Sequence, residues 1–200
     1  MKKTLILIAF IMTLSSTVHA QKVKTKTQNT EPSPSSYLGL GTGINNISGF
    51  AGLTFEQPFS PTFTGKLGLG IGAWGFKVGL AGKYYKSFPE SWSFGAGYST
   101  ASGLKSGDLE VDLKTTRSGS NTEKVKMVLD RAHMLDLVIG KAWGDKVKFN
   151  LDFGYSIPIA GGTYAPVDKT IILAKEGGTA VMDILSPGGL ILGMGIAFRL

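Results

Sequence analysis

From Tyr37 to the end of the chain one pattern recurs: large apolar residues alternate with small or polar ones at a period of two. A β-strand turns successive side chains to opposite faces, so this spacing specifies strands with two unlike faces rather than helices. Residues 147–157 are the clearest case. Val147, Phe149, Leu151, Phe153, Tyr155 and Ile157 share one face, against Lys148, Asn150, Asp152, Gly154 and Ser156 on the other. The pattern returns over 63–73, 75–86, 92–99 and 190–200, and more weakly over 37–44, 47–56 and 135–142. That predicts eight strands, most of them about 8–11 residues long, and a tilted membrane-crossing strand needs about 9–11.

Composition narrows the chemistry. Gly supplies 28 of 200 residues, charged residues are 18 %, hydrophobic residues 42 %, and cysteine is absent. Without cysteine there is no disulfide scaffold, thiol nucleophile or Cys-ligated metal. The chain is too apolar for disorder, and its glycine lacks the three-residue period of collagen. The two histidines are His19 and His133.

Eight such strands predict an all-β, antiparallel up-and-down transmembrane β-barrel. A barrel of this size has an interior just wide enough to be filled by side chains, and glycine on the inner face relieves crowding and permits tight curvature. Lys66, Lys77, Lys83, Asp136, Lys148, Asp152 and Arg199 fall on the inward face and are expected to form an ion-pair network, because each charge alone would be costly in a dry interior. Connections at 57–62, 87–91 and 143–146 on the periplasmic side are short; on the external side 45–46 and 74–75 are short too, whereas 100–132 and 158–189 are long, in line with the outer-membrane pattern of short periplasmic turns and longer external loops. Tyr37, Phe63, Trp92, Trp143 and Phe198 at one end, and Trp74, Tyr98 and Tyr155 at the other, are expected to form interfacial girdles. A ten-stranded alternative threads the 100–132 segment through the membrane. It sets Arg131 and His133 on the lipid face, at about 2–4 kcal/mol for an arginine at the midplane, so eight strands are favoured.

Residues 1–20 have a basic start at Lys2 and Lys3, an apolar run from Leu5 to Leu14, and small residues before a cleavage site after Ala20. This is the layout of a secretory signal peptide, too short to span a bilayer. Residues 21–36 are polar with two prolines and read as a flexible periplasmic leader. Their lysines lack the interleaved aromatics of a nucleic-acid site.

The chain ends GGLILGMGIAFRL, with Leu192, Met194, Ile196, Phe198 and Leu200 on one face. With the glycine-rich strands and the stretch YSIPIAGG at 155–162, it resembles the small bacterial outer membrane protein beta-barrel domain family over residues 37–200. The resemblance implies an outer-membrane location in a Gram-negative-type bacterium, contact with outer-membrane lipid, and assembly by periplasmic chaperones and the barrel-insertion machinery. It also implies that the last strand acts as the assembly signal, although such signals usually end in Phe.

Within 100–132, Leu109, Val111 and Leu113 alternate with acidic residues, and Val125, Met127 and Leu129 alternate with Lys124, Lys126 and Asp130. A hairpin over 108–130 is expected, with Glu110 and Asp112 facing Lys124 and Lys126; it is either a solvated projection or an edge that recruits an external protein by strand addition. The 158–189 segment carries apolar runs at 171–174 and 179–185, which form a hairpin or fold over the mouth. His133, with Asp130 and Asp136 nearby, is the sole acid–base candidate of the body, but no nucleophile motif accompanies it. GLGTG and GLGIG lack the spacing of a nucleotide-binding loop. The expected role is therefore that of a non-enzymatic, monomeric barrel without cofactor, acting in envelope structure or surface recognition through its long loops. The alternatives are a small-ligand or anion transport or binding barrel, a lipid-modifying enzyme, and a soluble barrel with its aromatics inside.

Overall fold

The computed structural model describes residues 35–114, 122–168 and 186–200. The signal peptide, nearly all of the leader, the tip of the 108–130 hairpin and the apolar runs at 171–174 and 179–185 lie outside the described residues. The strands are β1 (Tyr37–Ile44), β2 (Ala51–Pro58), β3 (Phe63–Gly72), β4 (Gly75–Tyr85), β5 (Trp92–Ala101), β6 (Leu104–Lys114), β7 (Thr122–Leu129), β8 (Ala132–Trp143), β9 (Val147–Gly161), β10 (Tyr164–Pro166) and β11 (Gly189–Arg199). Eight of them close a barrel in the order β1-β11-β9-β8-β5-β4-β3-β2, every pair antiparallel. The ends meet where β1 pairs with β11, from Tyr37 opposite Arg199 to Ile44 opposite Leu192.

The ten-stranded alternative is excluded. β5 pairs directly with β8, from Trp92 opposite Lys141 to Ala101 opposite Ala132. β6 and β7 leave the barrel between them and form a separate sheet in the order β10-β7-β6. The register sets Glu110 opposite Lys126 and Asp112 opposite Lys124, the cross-strand charge match the alternation predicts. The sheet is not simply a solvated projection. Val125, Met127 and Leu129 are buried against Trp74, Ala101, Ala132 and Met134, forming an apolar core under the hairpin at the barrel mouth. The long final loop begins by adding β10 to the β7 edge, Tyr164 opposite Leu129. Strand addition at that edge is thus made by the chain itself.

The barrel's polarity is the reverse of a soluble barrel's. Leu67, Leu80, Phe94, Ile139, Phe153 and Met194 all point outward and are 43–58 % exposed, whereas the lysines of β3, β4 and β9 point inward and are buried. This overturns the arrangement with aromatics inside and lysines outside.

The alternation of 47–56 does not continue as a strand to its first residue. β2 starts at Ala51, and residues 46–49 fold into the lumen instead. Asn45, at φ 51°, and Gly49, at φ 72°, turn the chain inward and out again. The Asn46 side chain ties the turn together: its Oδ1 accepts from the Ile47 amide at 2.7 Å and its Nδ2 donates to the Thr42 carbonyl at 3.3 Å. Ile47 then rests on Gly68 and Gly79, which face each other across β3 and β4. A Cβ on Gly79 would lie 2.4 Å from Ile47 Cγ1, and one on Gly68 2.8 Å from the Ile47 backbone. At these positions the inner-face glycine makes room for an inserted loop.

Candidate functional site

Two layers fill the lumen. The layer toward the end that carries both ends of the barrel sheet is ionic. Asp152 on β9 accepts from Lys83 at 2.6 Å and Lys66 at 3.1 Å, reaching across the barrel to β4 and β3. Glu56 on β2 pairs with Lys148 on β9 and also accepts from Tyr85 Oη at 2.7 Å and Thr64 Oγ1 at 2.9 Å. All of these side chains are buried. Charges in such a place are retained only when paired and hydrogen-bonded, and each carboxylate here answers to two or three donors.

The Lys148 ammonium also sits among aromatic rings. It lies 4.5 Å from the Tyr37 centroid, 4.7 Å from Phe88 and 5.6 Å from Tyr85, the geometry of cation–π attraction. Phe88, from the turn between β4 and β5, packs edge-on against Tyr37 and Tyr85 at 5.6 and 5.1 Å. These rings and the ion pairs obstruct the lumen at this end.

The layer toward the hairpin end holds the inserted loop, Asp136 and Lys77. Asp136 accepts from Ser99 at 2.6 Å and Ser156 at 2.5 Å. Lys77 Nζ donates to the Asn45 carbonyl at 3.0 Å.

Six of the seven residues expected inside are buried in these layers: Lys66, Lys77, Lys83, Asp136, Lys148 and Asp152. Arg199 is the correction. It stands at the rim, its side chain 36 % exposed, bonded to Asp145 at 2.9 Å and to Ser35 at 2.8 Å. It is the last residue of β11, and its long side chain reaches the adjacent turn rather than the lumen ions. Glu56 is the residue that sequence reasoning missed. Its signal was charge balance, since the expected inward set held five cations and only two carboxylates. Tyr37 and Trp74 are further corrections. Both are buried, at 1 % and 3 % exposure, and neither joins a girdle. Tyr37 points inward with Gly39 and Gly41, its hydroxyl donating to the Asp145 carbonyl at 2.7 Å. Trp74 caps the mouth and donates from Nε1 to the Asp130 carbonyl at 2.8 Å.

The outer surface carries polar-tipped aromatics at both ends. Lys141 extends between Trp92 and Trp143, 5.7 and 6.0 Å from their centroids. At the other end the Tyr98 hydroxyl and His133 Nδ1 are 2.5 Å apart, with their rings stacked. His133 and Asp136 lie on opposite faces of β8, and Asp130 instead accepts from Thr163. The three residues of the acid–base candidate are not brought together. In the terminal strand Leu192, Met194 and Phe198 are exposed on the outside of β11, Ile196 is half-buried and Leu200 follows the strand at 69 % exposure.

A scan against protein-family models finds no family that matches the chain, and a search of curated proteins finds no match.

Proposed function

We propose that this chain is a sealed, non-enzymatic outer-membrane barrel that acts in envelope structure or surface recognition, with the β10-β7-β6 sheet at the external end. The observation that carries the reading is the inverted polarity: apolar and aromatic side chains cover the outside of eight strands while four lysines are buried within. Monomeric soluble proteins rarely expose a contiguous apolar patch beyond about 300–600 Å², and a belt around a whole barrel exceeds that scale. In hydrocarbon the belt is matched, and a closed barrel leaves no unpaired strand edge. The Trp92–Lys141–Trp143 group and the Tyr98–His133 pair suit the two interfaces, where amphipathic rings and snorkelling cations settle.

The secretory start of the sequence supports export, and the terminal strand supports recognition by the barrel-insertion machinery after escort by periplasmic chaperones. The obstructed lumen argues against a porin. The external sheet displays Glu110, Asp112, Lys124 and Lys126, all exposed, as a polar face for an external protein partner. Envelope fractionation combined with planar-bilayer recording tests the reading. The protein is expected in the outer membrane, extractable only by detergent, with no stable conductance. Release without detergent, or a large steady conductance, would overturn it.

A further inference from the structure

At the external mouth a cavity of about 130 Å³ lies between the inserted loop and the barrel wall. Phe50, Trp74, Ala101 and Met134 contribute apolar surface, and among the described residues Lys77 is the one cationic residue of the lining. The volume is close to that of an engineered cavity of about 150 Å³ that takes up benzene.

Lys77 differs from the other buried lysines. Lys66, Lys83 and Lys148 each hold a carboxylate directly. Among the described residues, the bond of Lys77 is to a neutral carbonyl, that of Asn45. Asp136 attracts it electrostatically, but its two carboxylate oxygens accept from Ser99 and Ser156. An ammonium has three donors, so Lys77 retains capacity for an anion at a place walled by hydrocarbon. A mostly apolar pocket with a few convergent polar groups is the usual form of a small-molecule site. A neutral ligand would leave that capacity unused, a cation would find only donors on Lys77, and a dianion would bring more negative charge than one ammonium answers into a poorly solvated space.

We propose that this pocket binds a small monocarboxylate whose apolar body is about the size of a benzene ring. Its carboxylate accepts from Lys77 beside the Asn45 carbonyl, and its body packs against Trp74, Ala101 and Met134. The site goes beyond a structural role and ties the inserted loop to ligand, because Asn45 and Gly49, which turn that loop into and out of the lumen, both line the pocket.

The test is a calorimetric titration of the purified protein in zwitterionic detergent with benzoate, and with benzamide as the neutral isostere. Saturable benzoate binding is expected, with benzamide at least tenfold weaker. Lys77→Met should remove the preference for benzoate. Ala101→Leu, which fills the cavity and leaves the lysine, should weaken benzoate at least tenfold. Absence of saturation, equal affinity for the two probes, or unchanged binding in Ala101→Leu would overturn the proposal. The isostere and Ala101→Leu decide it even where Lys77→Met fails to fold.

Discussion

Asp152 holds two ammonium groups at once, and the cost of losing it follows from that. Truncation would leave Lys66 and Lys83 buried without their counterion, and removing one partner from a buried pair typically costs about 3–5 kcal/mol. We expect Asp152→Ala to destabilise the barrel by about that amount in reversible urea unfolding from lipid vesicles. Arg199→Ala should cost under about 1 kcal/mol, because the Arg199–Asp145 pair is solvated at the rim. Equal costs for the two would contradict the separation of core from rim. At this scale parity was more informative than residue type. The inward lysines were readable because each stood out of phase with its apolar neighbours. Tyr37 obeyed the same parity, lying in phase with Gly39 and Gly41 and out of phase with Leu38 and Leu40. An aromatic at a strand end invites a girdle assignment, and that preference hid its inward place.

Among the elements, the inserted loop explains more than the strands that surround it. Ile47 is apolar and fits an outward slot in the alternation, so nothing in the pattern announces that the chain has turned into the lumen. Only the Asn45–Asn46 pair signals a turn, and its side-chain bonds to the Leu190 and Thr42 carbonyls become visible only in three dimensions. The paired glycines at 68 and 79 then acquire a reason, since any side chain there would strike Ile47. Gly79→Val is expected to displace residues 46–49 while the barrel persists. Chymotrypsin applied to the external side of reconstituted protein should then cleave after Phe50 at least tenfold faster than in the parent. Unchanged protection would show that the loop does not depend on that space. The hairpin carries a similar lesson. Its charge register was readable from alternation, but the burial of its inner face was not, because the partners Trp74, Ala101 and Met134 come from three other strands or turns.

For the whole molecule, eight strands were legible because one repeated contrast, large apolar against small polar, was enforced by two different surroundings. The direction of that contrast is the harder matter, since a soluble barrel alternates as well. Buried lysines and exposed phenylalanines settle which face is inside. Part of the glycine excess clears the lumen for the inserted loop. The membrane reading rests on that polarity, and the native chain has no cysteine to confuse a labelling experiment. The most direct test is therefore a nitroxide scan along residues 147–157 of β9 in lipid vesicles. Labels at Val147, Phe149, Leu151, Phe153, Tyr155 and Ile157 are expected to collide freely with dissolved oxygen, most strongly near the middle of the series. Labels at the alternate positions should be shielded from it. Loss of that two-residue period, or access of a water-soluble nickel reagent to the middle of the odd series, would contradict a barrel whose apolar face meets lipid.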